Sequence, residues 1–159
     1  MPRLALVLLA ALACFPAASA QAVRSADVVT WQVRADGAAP GGDARIVFDA
    51  EIADGWRLYA LDSPVGRPLE VVLGPLPSGL AAGPLRQSKP QTGYDLGFER
   101  DYTYFAGSAR VAQTVRVSAA APAGRHAVEG VLAFTVCDNS VCLSPARVPF
   151  RVPVVVTAR

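Results

Sequence analysis

The chain has few of the residues on which most catalytic centres are built. Its 159 residues include one histidine, three cysteines and one methionine. A closed zinc site takes four nitrogen or sulfur ligands, and once Cys14 is set aside with an amino-terminal leader, a cysteine pair and the lone His126 supply only three. A Ser-His-Asp triad would require the same histidine, which stands in a Gly-Arg-His turn at the start of a strand and reads as a solvated residue. An excess of charge of one sign is missing as well. Lys and Arg number 15 against 13 Asp and Glu, for a net charge of +2, and the basic residues are scattered and nearly all arginine. That balance leaves no electrostatic case for nucleic acid or for an anionic membrane surface. No window holds a 3.6-residue apolar period with helix caps, so folds built from amphipathic helices are not expected.

Long apolar runs are confined to the start. Arg3 precedes Leu4 to Leu12, and Ala18-Ser19-Ala20 offers a small-x-small cleavage site, the pattern of a secretory signal. The run is too short for a permanent membrane span. Residues 1–20 are therefore expected to be a signal peptide and residues 21–159 a single exported domain, since 139 residues suffice for one sizeable core. Without Arg3 the net charge falls to +1. A lipid anchor on Cys14, which follows Ala11-Leu12-Ala13, is the less favoured alternative. Cleavage after Ala20 removes Cys14 and leaves two cysteines, Cys137 and Cys142, in a compartment where thiols oxidise.

What remains is rich in Val, Ile, Phe, Tyr and Thr in short runs bounded by Gly, Pro and Asp, an all-β pattern. A first strand is expected over 27–33 and a loop over 37–42. Ile46, Phe48, Ala50 and Ile52 then alternate with Arg45, Asp49 and Glu51, as in a sheet with one wet face. Asp54-Gly55 turns into Trp56-Arg57-Leu58-Tyr59, where Tyr59 reads as either a core residue or a site residue. Further strands are expected over 69–73, over 102–117 as one strand or as two joined at Gly107, over 124–136, and over 148–156. Pro149 and Pro153 make the last an edge strand. Residues 74–90 read as a Gly- and Pro-rich loop, and 91–101 as an irregular segment whose Tyr94, Leu96 and Phe98 cover something. About seven strands with turns between them predict an immunoglobulin-like, two-sheet antiparallel β-sandwich.

The stretch from Phe134 to Pro145 carries the chemistry. Four residues separate Cys137 from Cys142 at the ends of adjacent strands, which places their Cα atoms within the roughly 4.4–6.8 Å that a disulfide needs. The ring so closed is small, which puts its stabilisation at the low end of about 2–4 kcal/mol. Structural bridges of sandwich domains normally join the two sheets over a long separation. Two readings stay open on the residues alone: a redox pair, or a local structural disulfide in a non-catalytic exported binding module. For a redox pair no helix N-terminus is at hand to stabilise a thiolate, and Asp138 would oppose one.

Three motifs together resemble the periplasmic N-terminal domain of the thiol:disulfide interchange protein DsbD. They are Ile52 to Tyr59, with its Ala-Asp-Gly-aromatic-x-Leu-Tyr hairpin; Phe98 to Gln113, with its Tyr-Phe-x-Gly turn; and Val136-Cys137 to Pro145 with Val148-Pro149-Phe150. The resemblance covers most of the mature chain, and the cysteine motif is its most specific part. It implies a soluble periplasmic protein-disulfide reductase component that needs no cofactor. Electrons would pass from a thioredoxin-like donor domain or membrane reductase, through the pair, to a periplasmic disulfide isomerase or similar thiol protein. By the same resemblance Cys142 forms the mixed disulfides and Cys137 resolves them, Phe98 is the cap phenylalanine, and Tyr59 is an active-site tyrosine. The sequence departs from the family in three places. Leu96-Gly97 stands where acidic residues can precede the cap, so that Asp95 or Glu99 would have to substitute; Arg57 stands where an aromatic can occur; and Ser144 replaces a frequent proline. The chain is expected to act as a stand-alone monomer supplied with electrons by a separate protein.

Overall fold

Period-two alternation fixes the architecture. Along β2 (Asp43–Ile52), Ala44, Ile46, Phe48, Ala50 and Ile52 are buried, while Asp43, Arg45 and Glu51 are exposed. The same alternation in β8 (Ser108–Val117) buries Ala109, Val111, Gln113, Val115 and Val117. These observations come from a computed structural model that describes residues 22–96 and 99–158. The expected leader, with Cys14, and Phe98 lie outside the described residues.

A 3-10 turn at Ser25–Asp27 precedes β1 (Val29–Ala35) and β2; β3 (Arg57–Tyr59), β4 (Glu70–Leu73), β5 (Leu80–Gln87), β6 (Gln91–Asp95) and β7 (Arg100–Phe105) follow, then β8, β9 (Gly124–Phe134), β10 (Val136–Cys137) and β11 (Ala146–Val156). The sheets run β1-β2-β8-β5 and β11-β9-β4, with a smaller sheet β10-β3-β7-β6. The strands of each sheet pair antiparallel. The first two sheets close on one core, in which Phe48 of β2 meets Phe150 of β11 edge-on at 4.9 Å and Trp31 of β1 lies 5.6 Å from Phe134 of β9. This is the immunoglobulin-like sandwich predicted by the alternation. Among the described residues no helix is long and apolar enough to cross a membrane.

Several boundaries differ from the sequence reading, each for a local reason. Residues 25–27 form a turn rather than the start of a strand, because the Asp27 carboxylate accepts hydrogen bonds from the Arg24 backbone N–H at 2.9 Å and from its guanidinium at 3.0 Å. Within 74–90 lies β5, an edge strand of the first sheet that Gly83-Pro84 disguises. Its register shifts between Ala82 and Leu85, where proline cannot donate to the ladder. Buried Gln113 repairs the break by donating Nε2–H to the Gly83 carbonyl at 2.9 Å. In place of the irregular segment, β6 and β7 pair antiparallel from Gln91↔Tyr104 to Asp95↔Arg100. Gly107, at φ 73°, separates β7 from β8. The proline-bearing β11 is an edge strand, where a missing N–H removes no ladder bond.

One feature of this plan positions the cysteines. β9 belongs to the second sheet, yet its continuation past Thr135 is β10 of the small sheet, so the chain changes sheets one residue before Val136. Buried Ser25 accepts the Val136 N–H at 3.3 Å and ties the amino-terminal turn to this crossing point.

Candidate functional site

Register across the small sheet sorts its side chains into two faces. Val136 pairs with Leu58, and Leu58 with Phe105; Cys137 pairs with Arg57, and Tyr59 with Tyr104. Directly opposed residues of antiparallel strands share a face. Leu58, Phe105 and Val136 accordingly enter the main core, whereas Cys137, Tyr59 and Tyr102 form a second, smaller buried cluster with Tyr104 against it.

The hairpin that follows β10 is tight. Asp138 N–H donates to the Val141 carbonyl at 2.9 Å, and Leu143 N–H donates to the Val136 carbonyl at 2.9 Å. These two bonds frame Cys137 and Cys142 as a non-hydrogen-bonded pair, the closer kind in an antiparallel ladder. Their Cα atoms lie 4.0 Å apart and their sulfurs are bonded, slightly inside the separation expected from the spacing. The Asp138 carboxylate accepts the Ser140 and Val141 N–H groups, both at 2.7 Å. Asp138 is thus tied into the turn by its own side chain.

Those two amides, with a smaller contribution from the Arg57 charge, hold the Asp138 carboxyl below its ordinary value of 3.8. A depressed folded-state value stabilises the turn above the ordinary one and ceases to do so as pH falls through the folded one. Protection of the Ser140 and Val141 amides against hydrogen exchange should accordingly drop in acid, below about pH 3.8. Asp138→Ala should show low protection at every pH. Protection that is unchanged in the variant would refute the carboxylate's role in the turn.

The two sulfurs occupy different surroundings. Cys142 is exposed on the hairpin, whereas Cys137 is 7% exposed. The Tyr59 hydroxyl lies 3.4 Å from Cys137 Sγ, and with the sulfur in a disulfide it is the phenol O–H that donates. Burial first, then the charge of Asp95 and the neighbouring Tyr102, raise the Tyr59 phenol above its ordinary value of 10, so it stays protonated as a donor at neutral pH. Tyr59 meets Tyr102 edge-on at 5.7 Å, and Tyr102 stacks on Tyr104 at 5.2 Å. Arg57 Nη1 donates to the Tyr102 hydroxyl at 3.2 Å, with its guanidinium 5.2 Å from the centre of the Tyr104 ring. Together Arg57, Tyr59, Asp95, Tyr102 and the hairpin from Cys137 to Cys142 line a cavity of about 180 Å³.

The geometry is thus a buried aromatic floor under an unequally exposed cysteine pair. Residues 25–152 match the family described as "Thiol:disulfide interchange protein DsbD, N-terminal". The chain belongs to that family. No curated protein sequence matches it. Among solved structures it is similar to the N-terminal periplasmic domain of ScsB from Proteus mirabilis, with 17% identity and a TM-score of 0.55 over 82% of this chain. It covers 49% of that chain, about half its length. It is also similar to the DsbD N-terminal domain of Neisseria meningitidis in the reduced form, with 22% identity and a TM-score of 0.45 over 77% of this chain and 85% of that one. The complex between the DsbD N-terminal and PilB N-terminal domains of the same organism gives 19% identity and a TM-score of 0.49 over 77% of this chain and 80% of that one.

For a member of the DsbD N-terminal family, the sequence reading named six site residues. Cys137, Cys142, Tyr59 and Asp95 line the one cavity. Glu99 is exposed, at φ 52°, in the connection between β6 and β7, and does not line it. Phe98 lies outside the described residues. From the sequence Tyr102 and Tyr104 are strand residues and Arg57 a departure from the family pattern; the signal for all three is a spacing of two, Arg57-x-Tyr59 and Tyr102-x-Tyr104, which puts each pair on one face. His126, half-buried with Nε2 2.8 Å from the Pro122 carbonyl, plays no part in the cavity.

Proposed function

We propose that this DsbD N-terminal domain passes electron pairs between periplasmic thiol proteins through Cys142, with Cys137 as the resolving partner. The observation that carries the reading is the unequal exposure of the sulfurs: an incoming thiolate reaches Cys142, while Cys137 is buried under the Tyr59 hydroxyl. When the domain is loaded, a donor thiolate attacks Cys142 Sγ, the Cys137–Cys142 bond breaks, and its electron pair leaves on Cys137. The donor's second thiolate then attacks the donor sulfur of the mixed disulfide and releases Cys142, leaving the domain reduced and the donor oxidised. Unloading runs the sequence on the acceptor: Cys142 thiolate attacks its disulfide, and Cys137 thiolate attacks Cys142 Sγ and expels the acceptor reduced.

A thioredoxin-like domain or membrane reductase is the class of donor, and a periplasmic disulfide isomerase or similar thiol protein the class of acceptor. The functional unit is residues 21–159, freed of the leader, and Phe98 gates access to the pair. Asp95 lines the cavity beside Tyr59 and adds to the effect of burial in raising its phenol. The alternative, an exported binding module with an inert disulfide, differs in one measurable quantity. Equilibration with glutathione buffers followed by thiol trapping should give a reduction potential near those of the exchange proteins, about −120 to −270 mV. A value well below about −300 mV marks a structural bridge and overturns the proposal.

A further inference from the structure

Breaking the disulfide deposits negative charge in an unfavourable place. The departing sulfur, Cys137, is buried, the Asp138 carboxylate follows it in the chain, and Asp95 lines the same cavity. The 3-10 turn at Ser25–Asp27 is too short to supply the helix N-terminus that usually serves a thiolate. The Tyr59 hydroxyl provides a hydrogen bond but no charge.

We infer that Arg57 is the cation that stabilises the Cys137 thiolate, an electrostatic positioning role built into β3. The inference rests on the exchange reading above and adds to it the group that makes Cys137 a competent leaving sulfur. Two geometric observations carry it. Arg57 is the direct cross-strand partner of Cys137, and side chains so opposed start with Cβ atoms about 4.5–5.5 Å apart on one face. Its guanidinium is fixed rather than free in solvent: half-buried, hydrogen-bonded to the Tyr102 hydroxyl at 3.2 Å and set against the Tyr104 ring. A cation held this way has already lost the side-chain freedom that weakens surface ion pairs. Its field also reaches the hairpin, since Arg57 contributes to holding Asp138 ionised.

When the Cys137–Cys142 bond breaks, Cys137 Sγ takes the bonding pair in the field of Arg57 with the Tyr59 O–H donating to it. In the reverse step the same two groups keep a fraction of Cys137 as thiolate, ready to attack Cys142 Sγ in the mixed disulfide. No proton moves through Arg57; it acts by charge alone. The competing explanation is that Arg57 merely caps the Tyr102–Tyr104 stack.

The test uses Cys142→Ser, in which Cys137 is a lone thiol, and follows its ionisation by the ultraviolet absorbance of the thiolate. The Cys137→Ser/Cys142→Ser protein carrying the same Arg57 substitution is subtracted to remove tyrosine. The other groups facing the sulfur, Tyr59 of β3, Asp95 of β6, Tyr102 and Tyr104 of β7 and Asp138 of the hairpin, are present in every variant and cancel in the comparison. Arg57→Met should raise the titration midpoint by about one pH unit, the low end of the shifts that neighbouring opposite charges produce. Arg57→Lys, which keeps the charge, should move it by less than half as much. In the intact pair, Arg57→Met should slow reduction by dithiothreitol about threefold, because a more basic thiol is a poorer leaving group. An unmoved midpoint in Arg57→Met, or equal shifts in the Met and Lys variants, overturns the inference and assigns Arg57 to packing. Because the midpoint is read without any exchange partner, this failure is distinguishable from failure of the exchange reading, which the reduction potential decides.

Discussion

Cys142→Ser is expected to lose thiol-disulfide exchange almost completely, by at least about 1,000-fold, whereas Cys137→Ser should still perform the first half of the reaction and then stall. Removing a nucleophile removes the covalent route itself. The unequal burial predicts which sulfur that is: Cys142 is exposed on the hairpin, and Cys137 is 7% exposed beneath Tyr59. In Cys137→Ser the free Cys142 thiolate attacks the disulfide of an oxidised partner and expels the partner's other sulfur as a thiolate; the domain has no second thiol to carry the exchange forward, and alkylating the released partner thiol blocks its return and traps the adduct. In Cys142→Ser the remaining thiol lies too deep to meet a protein partner. Incubating each variant with an oxidised thioredoxin-like protein and separating the products without reductant measures both outcomes. Equal adduct yields from the two variants would reverse the assignment of roles. A fold defect does not confuse the result, because the disulfide closes only a five-residue separation and contributes at the low end of about 2 kcal/mol.

The sandwich was legible because its information is local. β2 writes its buried face into every second residue, and Pro149 and Pro153 mark β11 as an edge without any knowledge of its neighbour. β5 was hidden for an equally physical reason: Gly83 and Pro84 break both the alternation and the ladder, and the group that compensates, Gln113, comes from β8, some thirty residues later. The site divides the same way. The cysteine pair is visible as spacing, and its hairpin follows from Asp138-Asn139-Ser140. Asp138, read from the sequence as an obstacle to a thiolate, proves to have its carboxylate tied to two turn amides. That bonding depends on a side-chain conformation that no spacing reveals. Arg57 escaped for a third reason. Its importance comes from lying opposite Cys137, and the register between β3 and β10, nearly 80 residues apart, is set by the fold as a whole.

The same dependence on distant packing makes Gly66→Ala the most damaging small substitution expected near the site. Gly66 sits at φ +72°, and a Cβ there would lie 2.5 Å from both Cε2 and Cζ of Tyr59. Two costs follow. Placing an L-residue in the left-handed region costs about 1–2 kcal/mol, and forcing a side chain into a filled space costs about 1–3 kcal/mol. The ring has little room to give, being 6% exposed and set edge-on against Tyr102 at 5.7 Å. Any displacement carries its hydroxyl away from Cys137 Sγ. Urea unfolding of the oxidised protein should therefore show a loss of about 2–5 kcal/mol, the sum of the two costs, together with slower reduction of the disulfide by a small thiol. Gly107→Ala is the control for the backbone cost, because Gly107 has a similar φ of +73° with nothing within 4 Å of its Cβ position. In a Tyr59→Ala background the cost of Gly66→Ala should shrink to that of Gly107→Ala, since the colliding ring is gone. The difference between the backgrounds, about 1–3 kcal/mol, measures how firmly the Gly66 turn holds Tyr59 over the buried sulfur. If the full cost persists without the ring, the contact is not its cause, and the hydroxyl at Cys137 is held by the Tyr102 stack alone.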